Sequence, residues 1–451
     1  MNKRVDLLKG NILKALITLS VPIMATSLLQ MAYNMTDMIW VGRTGSNSVA
    51  AIGAAAMFVN LANGIGAFLR VGGQVMVARS YGAGDNEKAA LYARNAIQTG
   101  FLIAVVYGLI IIVFRKSCIG FFRFTNESVI HDAEIYLLIM GMFVFYDFVN
   151  PLFTAVVSAT GNSRTPFKIN TAGLLINIIA DPLLIFGAGK IPPMGVTGAA
   201  IATVMARTVA FILYLIYMKK DEKVFRRMEF FKPIEKEIIL PVAKLGMPAT
   251  IQGVMFTGIS MVIGRIIAAW GETAIAVQKV GIQIESISYM AADGFSVATN
   301  SLIAQNYGAK QFNRAREGYK TALKVIMLWG LFTTSVLVFL PEYIFRVFIT
   351  EPEVIPLGID YLRILGYSQF FMCIEILTAN SFAAYGKTAI PSAVSIIFTG
   401  MRIPMAVLLG GTALGLNGVW WSISMSSVFK GVILVSLFAL FMKKFTKNMN
   451  R

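Results

Sequence analysis

The sequence predicts an all-α polytopic membrane protein with twelve transmembrane helices in two six-helix lobes related by an internal repeat. Of its 451 residues, 57% are hydrophobic and only 14% are charged, whereas soluble globular proteins carry roughly 25% charged residues. Apolar runs long enough to cross a hydrocarbon core of about 30 Å follow one another along the whole chain. A transmembrane β-barrel would instead alternate apolar and polar residues in segments of about ten, and this sequence does not.

Each apolar run predicts one helix, and a polar connection at residues 219–236 divides the runs into two sets. The first six helices are predicted near residues 12–41, 50–78, 93–114, 133–158, 169–188 and 195–218. The second six are predicted near residues 241–268, 275–305, 321–345, 357–384, 391–409 and 416–442. We therefore expect an N-terminal lobe of residues 1–218, a cytoplasmic linker of residues 219–240 and a C-terminal lobe of residues 241–451.

The two halves of the sequence resemble each other in their loops. The matched pairs keep their order along the chain: Pro22 with Pro248, Ala78–Ala83 with Ala304–Ala309, Gly161–Pro166 with Gly386–Pro391, and Gly195/Gly198 with Gly415/Gly418. Six helices return the chain to the same side of the membrane, so both repeats have one orientation and are related by an axis along the membrane normal. Transporters of this design enclose a central cleft that opens to alternate sides.

The net charge of +17 comes from an uneven distribution of basic residues. Most of the 40 Lys and Arg lie at the two termini and in alternate loops, while the intervening loops hold six: Arg43, Arg115, Lys116, Arg123, Lys190 and Arg346. This asymmetry follows the positive-inside rule and predicts a cell-membrane protein with both termini in the cytoplasm. The excess charge would contact anionic lipid head groups, and we expect no nucleic-acid partner.

Ionisable side chains inside predicted membrane spans are costly and therefore mark candidate functional sites. They are Asp37, Asp147 and Asp181 in the first half, and Arg265, Lys279, Glu285, Asp293, Glu375 and Arg402 in the second. Among the acids of the second half, Glu285, Asp293 and Glu375 are secondary candidates.

Asp37 ends a polar stripe on the first predicted helix. Thr26, Gln30, Asn34 and Asp37 recur at helical spacing and so share one face, which must contact protein or water rather than lipid. The stripe is either a hydrogen-bonded packing surface or the wall of a cavity that carries a protonatable acid, and the second interpretation is favoured.

Methionines extend this predicted cavity. Met31, Met35 and Met57 lie in the first two predicted helices, and flexible, polarisable Met side chains suit apolar ligands of varied shape. Together with Gln30 and Asn34 they are the predicted substrate-cavity residues, although Met residues in such helices also serve as ordinary packing.

Asn177 and Asp181 are four residues apart and therefore lie on one face of the fifth predicted helix. Pro182 follows, and because proline has no amide hydrogen it leaves a backbone carbonyl near residue 178 without its helical donor. A carboxylate, an amide oxygen and this carbonyl could hold a proton or a small hard cation. A proline-broken helix with a capped end is the simpler alternative.

Enzymatic motifs are missing from the sequence. The single histidine, His131, has no partner for zinc binding or catalysis, and residues 381–388 resemble a phosphate-binding loop but begin with Ser where glycine is needed. We therefore expect no catalytic residues, no metal and no cofactor, and any active transport must use an ion gradient or another protein.

Several of these segments together make the chain similar to the multidrug and toxic compound extrusion (MATE) family of transporters. They are Pro22, Gln30–Gly42, Ala78–Ala83, Gly161–Pro166, Asn177–Pro182 and Gly195–Ala200. The resemblance covers essentially the whole chain. It implies a twelve-helix, two-lobed exporter of amphiphilic, cationic drugs or toxic compounds that is driven by inward movement of H⁺ or Na⁺.

The resemblance also implies a coupling site in the N-terminal lobe. In the bacterial and archaeal branch that this chain most resembles, an Asp of the first helix works with an Asn and an Asp of the fifth, and Asp37, Asn177 and Asp181 match these directly. Tyr136 and Thr203 are the matches for a Tyr and a Thr of neighbouring helices. Other branches place a coupling Glu in the seventh helix, where residues 252–256 of this chain contain no acid.

Three alternatives remain at this stage. A flippase for lipid-linked precursors would need a strongly cationic cavity, but the first two helices offer one arginine, Arg70, and one acid, Asp37. A membrane-embedded enzyme would need catalytic groups that the sequence lacks. A channel is compatible with the composition, but the repeat and the proline-broken helices around buried acids favour alternating access.

The charge asymmetry yields a test of orientation. In a background without Cys118 and Cys373, a single cysteine at position 125 should react with an impermeant thiol reagent added outside intact cells. A cysteine at position 228 should react only after permeabilisation. The opposite pattern would reverse the predicted topology.

Overall fold

Long helices account for most of the chain in the computed structural model, which describes residues 4–122, 124, 126–189, 192–230, 232–348 and 351–449. The helices of the first half are α1 (Ile12–Gly42), α2 (Ser46–Gly82), α3 (Asn86–Gly120), α4 (Glu127–Met142), α5 (Phe145–Ala159), α6 (Arg164–Ile185) and α7 (Gly195–Lys220). Those of the second half are α8 (Lys236–Ala268), α9 (Glu272–Gly308), α10 (Phe312–Phe339), α11 (Pro341–Arg346), α12 (Ile355–Ala384), α13 (Ala389–Gly400), α14 (Arg402–Gly410) and α15 (Leu416–Met449).

Twelve membrane crossings follow from these helices, as the sequence predicts. Within the described ranges, ten spans are long and apolar enough to cross a membrane, and one of these ten consists of α13 and α14 together. The pair α4 and α5, which is bent by 48°, gives an eleventh span. Helix α9 supplies the twelfth. Its 37 residues are more than long enough, but Lys279, Glu285 and Asp293 make it more polar than the others. Several helices are longer than predicted because their polar ends continue beyond the apolar run.

The chain divides into two compact units. The first contains Ala25–Met247 together with the start of the chain up to Val5, and the second contains Asp6–Met24 and Pro248–Arg451. The first half of α1 therefore belongs to the second unit, and the first three turns of α8 belong to the first. The two divided helices, α1 and α8, are the first helices of the two repeats.

Backbone geometry shows the internal repeat as clearly as the sequence does. A Cβ atom on Gly198 would lie 2.4 Å from the backbone oxygen of Leu184, and one on Gly418 would lie 2.3 Å from that of Leu409. The turns before α3 and α10 correspond in the same way, with positive φ at Gly84 (81°) and at its counterpart Lys310 (58°). Each repeat thus uses the same close helix contact and the same turn, which confirms the predicted two-lobed architecture.

The polar connection after α7 is a docked element of the first unit. Val224 and Phe225 are buried, and the Nε2 atom of Gln98 on α3 donates to the carbonyls of Phe230 (2.6 Å) and Lys232 (2.8 Å). Met228 is also buried, so a cysteine there would be shielded from reagent on either side. Exposed Lys223 is the better position for testing the cytoplasmic location of this segment.

Two glycines allow α2 and the first turns of α8 to approach closely within the first unit. A Cβ atom on Gly72 would lie 2.0 Å from the backbone oxygen of Val242, and one on Gly246 would lie 1.9 Å from that of Phe68. Backbone atoms cannot move aside as a flexible side chain can. The contact therefore requires glycine on both helices.

We expect Gly72→Ala to destabilise the protein by about 3 kcal/mol or more, because the added methyl group forces the two backbones apart. Thermal unfolding of the detergent-solubilised protein measures this effect. Gly253→Ala is the matched control: Gly253 also lies within a helix, and nothing lies within 4 Å of a Cβ atom there. Equal unfolding midpoints for the two variants would contradict the close contact.

Candidate functional site

Two carboxyl groups from different helices meet inside the first unit. The side-chain carboxyl groups of Asp37 on α1 and Asp181 on α6 lie close enough to interact directly. Two ionised carboxylates that share a buried site repel each other, so this arrangement favours a proton on one of the two groups. The structure thus brings together the two acids predicted from the polar stripe and from the Asn177–Asp181 spacing.

Asn177 completes the pair from one turn earlier on α6. Its Nδ2 atom donates to Oδ1 of Asp181 at 3.0 Å, and both side chains are about 1% exposed. Three buried oxygens around this contact have no hydrogen-bond partner within the described residues: Oδ1 of Asp37, Oδ2 of Asp181 and Oδ1 of Asn177. Buried polar atoms are normally satisfied, so this cluster is the natural position for a further proton or another small ligand.

The local backbone of α6 adds to this polarity. Pro182 lies inside the helix directly after Asp181. Because proline has no amide hydrogen, the carbonyl of Ile178 lacks its helical donor. The proline therefore introduces an extra acceptor on the same helix as the Asn177–Asp181 face.

Tyr33 links α1 to α7 beside the acid pair. It lies one helical turn before Asp37, and its hydroxyl hydrogen-bonds to Thr203. The Thr203 hydroxyl donates to the carbonyl of Ala199 at 3.0 Å, so it accepts from Tyr33. Thr203 thus lies near the acid pair, as predicted. The sequence did not single out Tyr33, although its i, i+4 spacing to Asp37 places both residues on one helical face.

Tyr136 occupies a neighbouring position on α4. Its side chain is buried in an apolar cluster with Val59, Leu137 and Val204. It is close enough to interact electrostatically with both acids, although the structure shows no hydrogen bond from its hydroxyl to either of them within the described ranges. Tyr136 is thus placed near the pair, as predicted, with its ring in the apolar cluster.

A buried ion pair lies beside this cluster. Arg207 on α7 pairs with Asp147 on α5, whose side chain is only 5% exposed. Asn63 reaches Asp147 at 3.5 Å, and Nδ2 of Asn150 donates to the backbone oxygen of Arg207 at 3.0 Å. Asp147 was a candidate because it is an ionisable residue inside a predicted membrane span. Arg207 meets the same criterion but was not selected.

The predicted substrate-cavity residues are distributed along α1 and α2. Gln30 is exposed and Met31 is half-buried, while the side chains of Asn34 and Met35 lie outside the described part of the structure. Met57 on α2 is 54% exposed. Their role in a substrate cavity remains a prediction.

In the second unit, Glu285 accepts hydrogen bonds from the Tyr361 hydroxyl at 2.7 Å and from Nε2 of Gln369 at 3.1 Å. Its carboxylate therefore has two strong donors. Asp293 lies half-buried on the same helix, about two turns further along.

Glu375 has a resident cation. Nζ of Lys430 lies 3.0 Å from its carboxylate, the Ser395 hydroxyl donates at 3.2 Å, and both charged side chains are at least 90% buried. Arg402, also buried, donates to the hydroxyls of Ser426 at 2.5 Å and Ser427 at 3.3 Å. Glu285 and Glu375 are thus satisfied by neighbouring groups, whereas the Asp37–Asp181 pair is not. No group of three His, Cys, Asp or Glu side chains that could hold a metal occurs in the described part of either unit.

Two repeated bundles of membrane-spanning helices, with an unsatisfied carboxyl pair inside one bundle, have the architecture of parallel-repeat membrane transporters. The family model MatE matches residues 22–183 and, a second time, residues 248–408. The chain belongs to the MatE family and is a MATE family transporter.

Relatives and solved structures agree with this assignment. The chain is 26% identical to the "Probable multidrug resistance protein NorM" of Thermotoga maritima, with 94% of this chain and 92% of that protein covered. It is 24% identical to the "FAD transporter" of Shewanella oneidensis, with 96% and 95% covered. A crystal structure of MATE in the straight conformation superposes with a TM-score of 0.88 at 24% identity and covers 99% of both chains.

Proposed function

We propose that this protein is a secondary active exporter of amphiphilic, mainly cationic small molecules that exchanges them for H⁺ or Na⁺ by alternating access. The observation that carries the proposal is the approach of the carboxyl groups of Asp37 and Asp181 beside Asn177, with buried oxygens on all three side chains that have no hydrogen-bond partner within the described residues. The name of the Thermotoga relative, a probable multidrug resistance protein, supports the substrate class. We place the protein in the cell membrane with both termini in the cytoplasm, in contact with lipids.

Coupling follows from the charge of the acid pair. With one shared proton the pair carries one negative charge, which attracts an organic cation in a low-dielectric site. Binding of a further proton or a Na⁺ ion removes that charge and weakens the attraction. If the binding free energy of a substrate differs by about 1.4 kcal/mol between the two charge states of the pair, its affinity differs about tenfold. That difference is enough to link drug release to ion entry.

The charges near the site favour cationic over anionic substrates. Asp37, Asp147 and Asp181 face one guanidinium, that of Arg207, within the described part of the first unit. A flippase for lipid-linked pyrophosphates, the alternative function, would need an excess of cations instead. One relative, from Shewanella oneidensis, is named an FAD transporter. FAD is anionic, so it tests the proposed preference for cations, and as a negative control it should not be exported in the same assay.

The first test is Asp181→Asn, which removes the titratable group at nearly constant shape. Efflux of a fluorescent cationic drug from proteoliposomes under imposed pH and Na⁺ gradients should fall at least tenfold. Folding and membrane insertion should be retained. Asp132→Asn, half-buried near the start of α4, is the matched control and should transport normally. Gradient-driven efflux by Asp181→Asn at the wild-type rate would exclude the α6 site.

The second test concerns Asp37 and the substrate. Drug affinity should fall as the pH drops far enough to protonate the pair completely, because the negative charge that attracts the cation disappears. In Asp37→Asn this pH dependence should flatten, with cations bound about tenfold more weakly and neutral ligands little affected. Binding titrations across pH measure it. An unchanged pH dependence would assign proton coupling to other acids, and Glu285, Asp293 and Glu375 would be the next candidates to test.

A further inference from the structure

A buried lysine and a buried glutamate form an ion pair in the second unit that the function proposed above does not use. Nζ of Lys430 on α15 lies 3.0 Å from Oε1 of Glu375 on α12, and the two side chains are 7% and 10% exposed. The Ser395 hydroxyl on α13 donates to the same carboxylate oxygen at 3.2 Å. An ammonium group and a hydroxyl group from two other helices thus meet at one carboxylate oxygen within membrane-spanning segments.

A close contact between two helix backbones lies directly beside this ion pair. Gly431 follows Lys430, and a Cβ atom on Gly431 would lie 2.6 Å from the backbone oxygen of Phe371. Phe371 precedes Glu375 on α12 by one helical turn. Because the backbones of α12 and α15 already touch here, they cannot move together to fill the space that a shorter side chain at position 430 would leave.

The cation in contact with Glu375 in the described part of the second unit is that of Lys430. Arg402 on α14 is also buried, but its guanidinium donates to the hydroxyls of Ser426 and Ser427. These serines precede Lys430 on α15 by four and three residues. The charge of the Glu375 carboxylate is thus balanced by an ammonium group of the protein itself.

Stability alone is a poor reason for this ion pair. Removing two charges from water costs about as much as their attraction returns, and apolar side chains of similar volume often pack equally well. What the lysine adds is charge balance at a buried carboxylate without an ion taken from solution. The acid pair of the first unit differs, because its buried oxygens without hydrogen-bond partners are available to an exchangeable ion.

The chemistry of the contact favours a small cation as the ion that the lysine replaces. Carboxylate and hydroxyl oxygens are ligands of hard cations, and water completes their coordination. An ammonium group is a compact point charge, so it resembles a bound metal ion more closely than a planar guanidinium does. Without the lysine, the carboxylate would be left unpaired inside the membrane, which is costly, and a cation from solution would remove that cost.

We propose that Lys430 is a specificity-determining residue of the second unit: its ammonium group occupies the position at which Glu375 and Ser395 would otherwise bind Na⁺. This cation is tethered to α15 and cannot be released during a transport cycle. The inference rests on the proposed function and narrows it, because ion exchange is then confined to the acid pair of the first unit.

The test compares Lys430→Ala with Glu375→Gln/Lys430→Ala, which have the same first unit. Thermal unfolding of the detergent-solubilised proteins is followed at slightly alkaline pH, in NaCl or in choline chloride of equal ionic strength. A ligand that binds only the folded state stabilises it, so Na⁺ should raise the unfolding midpoint of Lys430→Ala in a saturable way. The double variant lacks the carboxylate and should respond to Na⁺ no more than the wild type does.

Equilibrium binding of radioactive Na⁺ is the second measurement. Lys430→Ala should bind one Na⁺ per protein more than the wild type or Glu375→Gln/Lys430→Ala. If Lys430→Ala does not fold, Lys430→Ser purified in NaCl replaces it, since the serine hydroxyl adds an oxygen ligand. Lys443→Ala, at an exposed position of the same helix, is the matched control and should behave like the wild type.

An ion pair with a purely structural role would give a different result. The Lys430 variants would then be destabilised equally in NaCl and in choline chloride, and they would bind no additional Na⁺. That result would overturn the inference, and so would additional Na⁺ binding that persists in Glu375→Gln/Lys430→Ala. Failure of the proposed function is distinguishable, because it appears as normal drug efflux by Asp181→Asn, whereas these measurements use no substrate and no gradient.

Discussion

The candidate site depends on one contact, the approach of the side-chain carboxyl groups of Asp37 and Asp181. Two carboxylates in one site repel each other, and inside a membrane protein their combined charge has little water to screen it. Binding or loss of one proton would therefore change the local charge by a full unit. Among the neighbouring groups, Asn177 donates to one of the two acids.

The helices position this pair through devices that are local in sequence. Pro182 directly follows Asp181, so the turn of α6 that carries the acid also has a carbonyl released from the helical ladder. Glycine at Gly72 and Gly246 allows backbone-to-backbone packing in the first unit, and Gly198 and Gly418 repeat one close contact in both halves. Close packing of this kind limits how far the helices can shift against one another.

The two units use buried charge differently, although they descend from one repeat. In the second, Lys430 neutralises Glu375, and Glu285 is satisfied by Tyr361 and Gln369. In the first, the arginine pairs with Asp147 and leaves the neighbouring carboxyl pair with unsatisfied oxygens. The repeat thus supplied two similar bundles, and within the described residues the contacting acid pair lies in the first of them.

The sequence by itself determined the membrane-spanning helices, the repeat and the acids worth testing, because hydrophobic length and helical spacing are local properties. It also predicted that Asn177 and Asp181 lie together, because they are one turn apart on a single helix. The family resemblance implied that Asp37 works with Asp181, but local spacing did not. Only the tertiary structure decided that Tyr33 meets Thr203 and that Arg207 meets Asp147. Periodicity shows which residues share a face, but the partner of that face depends on how distant helices pack. For the same reason the break between α4 and α5, and the burial of Met228 in a connection predicted to be polar, could not be read from local composition.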